Sequence, residues 1–88
     1  MKVVVLYRPD SDHSRAVEEF AHDFERMHGK PVELVSVNTR DGAATASLYD
    51  IMQYPAVMAT TDIGELLQVW TGDSMPLMNE VAAYAMSS

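Results

Sequence analysis

The chain has 88 residues, a formal net charge of −7 and no cysteine. That length allows one domain, residues 1–88, and 48% hydrophobic residues are enough to fill one core. The acidic balance disfavours nucleic-acid phosphates and anionic lipid surfaces, and without cysteine there is no disulfide framework and no thiolate chemistry.

The first apolar run, residues 3–7, has a strand's length and falls far short of a bilayer. No stretch has the form of a signal peptide, so a cytoplasmic location is the expectation. Val3, Val4, Val5, Leu6 and Tyr7 are continuously β-branched, aliphatic or aromatic, the pattern of a central strand buried on both faces. Residues 8–12 break the run with proline and short polar side chains. A helix follows, in which Ala16, Val17, Phe20, Ala21, Phe24 and Met27 share a face and Glu18, Glu19, Asp23, Glu25 and Arg26 occupy the other. Ser11, Asp12 or Ser14 is the expected cap, and Gly29 and Pro31 end the helix.

Val32, Leu34, Val35 and Val37 predict a second strand, and residues 38–42 a polar loop with Asp41 as cap. The next helix is expected over residues 43–52, with Ala44, Leu48, Ile51 and Met52 as its core face. Tyr54-Pro55 ends it, and residues 56–59 form the third strand, placed where a missing N–H is tolerated. Residues 61–64 read as a hairpin turn leading into a fourth strand over 65–71. In that strand Leu67 and Val69 take one face and Leu66, Gln68 and Trp70 the other. Gly72, Asp73 and Ser74 make a turn and cap, and Pro76 sits in the first turn of a last helix whose Leu77, Val81, Tyr84 and Ala85 face the sheet. Both strand–helix–strand crossovers are expected to be right-handed.

The resulting order, βαβαββα, is that of the minimal thioredoxin fold, and local residues sharpen the likeness. Ala46-x-x-Tyr49-x-Ile51-x-x-Tyr54-Pro55 resembles the thioredoxin segment that leads into its cis-proline. Ile63-Gly64-Glu65 resembles the family's hairpin turn, and Gly72-Asp73 lies where members place a glycine and a polar residue before the last helix. The resemblance implies an α/β domain in which a four-stranded mixed sheet, its first strand central, is flanked by three helices. The active-site segment departs from the family. Where members carry Cys-x-x-Cys or Cys-x-x-Ser, this chain reads Ser11-Asp12-His13-Ser14, and the first strand offers only valines in place of the family's buried acid. A serine hydroxyl does not attack disulfides at neutral pH, so dithiol exchange is excluded.

Several constellations are candidate sites. The helix start at residues 11–14 can hold an anion on free amides, although capping explains the same residues and Asp10 and Asp12 oppose added negative charge. His13 beside Ser11 or Ser14 lacks the fixed orienting acid and oxyanion hole that hydrolysis needs. His13, His22 and His28 are spaced nine and six apart and do not share a helix face, so no metal is expected.

Tyr54 and Pro55 are the strongest candidates. The resemblance implies that they border a groove whose backbone pairs with an extended peptide. Tyr7, Tyr54 and Met75 are expected around that groove, with Met52, Met58 and Met78 in the core. Trp70, near the end of the last strand, sits on an edge open to a further strand.

The expected function is a redox-inactive binding or adaptor domain for a protein or peptide partner. Its groove would be bounded by Tyr7, Ser11, Asp12, His13, Ser14, Tyr54, Pro55, Gly72, Asp73 and Ser74, and no cofactor is expected. Two alternatives remain: a glutaredoxin-like domain that holds glutathione, with Gly72-Asp73-Ser74 at the ligand's charged end, and a structural subunit of an oligomer.

Overall fold

The computed structural model describes residues 1–72 and 75–86. The elements are β1 (Lys2–Tyr7), α1 (Ser14–His28), β2 (Val32–Ser36), α2 (Arg40–Leu48), β3 (Ala56–Thr60), β4 (Leu66–Thr71) and α3 (Met78–Met86). The sheet order is β2-β1-β3-β4, with β1 inside it. β1 runs parallel to β2 and antiparallel to β3, and β3 runs antiparallel to β4. Only β1–α1–β2 therefore joins parallel strands, which corrects the expectation of two such crossovers. Leu6 pairs with Ala56, so residues 49–55 bring the chain back to the end of the sheet where β1 finishes.

Alternation along β1 divides the apolar residues into two cores. Val3 and Val5 face α1 and α3, where they pack with Val17, Phe20, Phe24, Val57 and Val81. Val4 and Leu6 face α2 and pack with Ala46, Ile51, Ala56 and Met58. No helix of the described residues is long and apolar enough to cross a membrane.

Several expected core positions lie outside. In α1, Val17, Phe20 and Phe24 are buried, whereas Ala16 is exposed and Met27 is 61% exposed, because they flank a stripe only three residues wide. In α2, Ala44, Leu48 and Met52 are exposed, the last two at 77% and 85%. The helix begins earlier than its composition suggests, and Gly42 and Ala46, one turn apart, set the face that meets the sheet. It also ends at Leu48, before Asp50 takes a φ of +59°, so Met52 never joins its face. Met58 is buried as expected, and Met78 packs against the α1 side partly buried.

In α3, Val81 and Ala82 are buried and Leu77 is 70% exposed, since the helix starts one residue after Leu77 and two after Pro76. Tyr84 meets Trp70 edge-on at 5.6 Å. The side chain of Ala85 lies outside the described residues. In β4 a bulge places Leu66 opposite Thr60 and Gln68 opposite Ala59. Leu67 is thus the extra residue, and the expected alternation of faces holds only from Gln68 onward.

The start of α2 is fixed by a compact network. Thr39, in extended conformation, is its cap: its Oγ1 accepts from the Gly42 amide at 3.0 Å and donates to the Ser36 carbonyl at 2.8 Å. The expected cap, Asp41, instead lies in the first turn, where its charge suits the helix dipole. A Cβ on Gly42 would overlap the Ser36 carbonyl oxygen and lie 2.7 Å from its carbon. Gly42→Ala is therefore expected to be net destabilising by about 1–2 kcal/mol, because displacing the Ser36 backbone costs toward the upper part of the ~1–3 kcal/mol range of overpacking and outweighs the ~1 kcal/mol gained in helix propensity. A urea midpoint equal to or above wild type would contradict this close approach.

At the other end of the sheet, the Met1 ammonium donates to Asp62 at 2.7 Å. That hydrogen bond, then the ammonium charge, with smaller help from Lys2 and Lys30, holds the Asp62 carboxyl below its usual range. A depressed carboxylate pKa stabilises the fold above the ordinary carboxylate range, and that contribution is lost as pH falls through the folded value. Asp62→Asn should lower the thermal midpoint at neutral pH and match wild type in acid. A deficit that persists in acid would rule out this linkage.

Candidate functional site

The end of β1, the start of α1 and the Tyr54–Pro55 step meet at one edge of the molecule. Residues 8–14 form a closed turn around the Arg8 backbone. Ser11 Oγ donates to the Arg8 carbonyl at 2.6 Å, and the Ser11 amide donates to the same oxygen at 3.2 Å. The Arg8 amide donates to His13 Nε2 at 3.2 Å. The Ser14 amide donates to the Ser11 carbonyl at 3.3 Å, so the turn runs straight into the helix. His13 occupies the cap position of α1 with helical backbone angles and no side-chain cap bond. This corrects the expectation that Ser11, Asp12 or Ser14 caps α1: the Ser11 hydroxyl is committed to Arg8, and an extended cap residue is absent.

The same bonds decide the chemistry of the cluster. The Arg8 amide engages His13 Nε2, so that ring nitrogen is committed to closing the turn. The Ser11 hydroxyl points at a carbonyl and not at that ring. No relay between Ser11 and His13 is assembled. Among the described residues no group of three or more His, Cys, Asp or Glu could hold a metal. His22 is exposed, and His28 packs on Phe24 with ring centroids 4.9 Å apart.

The Tyr54–Pro55 peptide is cis. The two residues look to opposite sides of the sheet. Pro55 is buried and lines a cleft of about 480 Å³ with His13, Phe20, Met75 and Leu77, between α1 and the approach to α3. Tyr54 lines a second cleft, of about 380 Å³, with Arg8, Asn38, Ser47 and Asp50, on the α2 side. The Arg8 guanidinium lies over the Tyr54 ring at 5.5 Å, and the Tyr54 hydroxyl donates to the Ile51 carbonyl at 3.4 Å.

The expected cluster of Tyr7, Tyr54 and Met75 is accordingly divided. Tyr7 and Met75 pack on the α1 and α3 core, and Tyr54 packs on the α2 core. Strand alternation explains the division for Tyr7, which shares its face with Val3 and Val5. Gly72 has a φ of +129°, a backbone that favours glycine. Asp73 and Ser74, expected to complete the groove, lie outside the described residues, and Asp12 is exposed. Sequence reading missed Arg8, which organises the turn and covers Tyr54. Its signal was present as a cation placed directly after the first strand and before Pro9.

No protein-family model matches the sequence, and no curated protein matches it by sequence. A solved structure does resemble it. The chain is similar to thioredoxin 1 from the thermophilic eubacterium Thermosipho africanus TCF52B, with a TM-score of 0.73 and 10% identity, over 99% of this chain and 92% of that one. That likeness shows the thioredoxin fold, here in a chain with no cysteine.

Ser11→Ala removes a hydrogen bond that closes the turn beside both clefts. It is expected to lower stability by about 0.5–1.5 kcal/mol, read from urea denaturation. An unchanged midpoint would mean that the Ser11–Arg8 bond does not hold the turn.

Proposed function

We propose that this thioredoxin-fold chain is a non-catalytic binding module that takes an extended segment of a partner protein in the cleft beside Tyr54–Pro55. The observation that carries the reading is the cleft itself. Its walls are Phe20, Pro55, Met75 and Leu77, it opens to solvent, and Leu77 stands 70% exposed on its rim. Thioether and aliphatic side chains of this kind adapt to varied apolar partners. The reaction centre of the fold, by contrast, has no thiol, and Ser11 and His13 are occupied in holding the turn. A cytoplasmic location goes with this reading.

The test is a displayed random-peptide library selected on the purified protein, with the enriched peptides resynthesised. They are expected to move the backbone amides of His13, Met75 and Leu77 in NMR spectra. Leu77→Asp should abolish binding, whereas Leu48→Asp, an equally exposed leucine on α2, should leave it intact. Enriched peptides that ignore Leu77→Asp, or no enrichment at all, would sink the reading. Reduced glutathione is the control ligand, because movement of the same amides by that tripeptide would favour small-thiol binding instead.

A further inference from the structure

We infer that the segment taken by the Pro55 cleft is cationic, presenting one apolar side chain flanked by lysine or arginine; this rests on the peptide-binding reading above. The cleft is apolar at its base but not neutral at its wall. Glu19 and Asp23, one helical turn apart on α1, are the carboxylates that line it, and among the described residues no lysine or arginine does.

The helix behind them carries four acids, Glu18, Glu19, Asp23 and Glu25, against two arginines. Those arginines pair along the helix, Arg15 with Glu19 at 3.3 Å and Arg26 with Asp23 at 3.4 Å. All four side chains are substantially exposed, at 89% and 67% for the first pair and 67% and 43% for the second. Exposed pairs of this kind hold weakly and exchange partners readily. A ligand ammonium or guanidinium seated over the cleft can therefore take Glu19 or Asp23 from its neighbour.

Asp10 and Asp12, both exposed, lie in the turn that leads to His13, a lining residue of the cleft, and add negative charge to that turn. The chain as a whole, at −7, steers cations inward and repels acidic segments. Apolar burial at Met75 and Leu77 supplies the anchor, and the α1 wall chooses the sign of what flanks it.

Two synthetic peptides test this, identical at a central leucine and flanked on both sides by lysines in one and glutamates in the other. Each is titrated into the protein at low ionic strength and followed by NMR. The lysine-flanked peptide is expected to move the amides of Glu19, Asp23 and Leu77 and to bind about tenfold tighter than its counterpart. That preference should fall toward parity in the double variant Glu19→Gln, Asp23→Gln, and in high salt. Equal binding of both peptides at the cleft, or a preference untouched by the double variant, overturns the charge assignment while the peptide reading stands. If neither peptide moves cleft amides, the inference fails together with the reading beneath it.

Discussion

β1 is hydrogen-bonded on both edges and covered on both faces, and every other element is placed by reference to it. Its backbone pairs with β2 on one side and β3 on the other. Its alternating side chains reach into both cores, Val3 and Val5 toward α1 and α3, Val4 and Leu6 toward α2. An uninterrupted apolar strand of this kind is stable only with protein on both sides. The two helical layers therefore follow from a short stretch of sequence. So does the position of the clefts, since residues 8–13 and 49–55 meet where β1 ends.

The Tyr54–Pro55 step lies between the two clefts and belongs to both. Pro55 faces the layer of α1 and α3, and Tyr54 faces the layer of α2 with Arg8 laid across its ring. A change at either residue thus touches one cleft directly and the other through the shared backbone. The Arg8 main chain makes the connection tighter, because its carbonyl and amide hold Ser11 and His13 while its side chain covers Tyr54. That turn is a structural hub.

The elements most legible in the sequence were those whose pattern is set by one dominant force. β1 and the Val17, Phe20 and Phe24 stripe of α1 declare themselves by apolar burial, and Gly29 ends α1 as expected, with φ at +67°. The hairpin turn at residues 61–64 declares itself by its glycine. What the sequence concealed depends on neighbours distant in the chain. The phase of α2 is fixed by the approach of Gly42 to Ser36, which composition does not reveal. The bulge at Leu67 and the return of β3 against β1 are set by pairing across the sheet. At the candidate site, residue types were readable, but the division of Tyr7 from Tyr54 was not, because it depends on which side of the sheet each side chain leaves. The engagement of Ser11 and His13 with Arg8 was hidden for a similar reason, since only folded geometry shows which of several nearby polar groups a side chain meets.

The edge-on contact of Trp70 with Tyr84 gives the molecule its own optical reporter. Trp70 is the chain's single tryptophan and sits on β4, and Tyr84 sits on α3. Indole emission depends on local polarity and on nearby rings, so its wavelength registers whether the last helix is seated on the sheet. Because α3 follows directly from the cleft wall at Met75 and Leu77, the same signal can follow any ligand that shifts this helix, with no dye attached and no residue replaced.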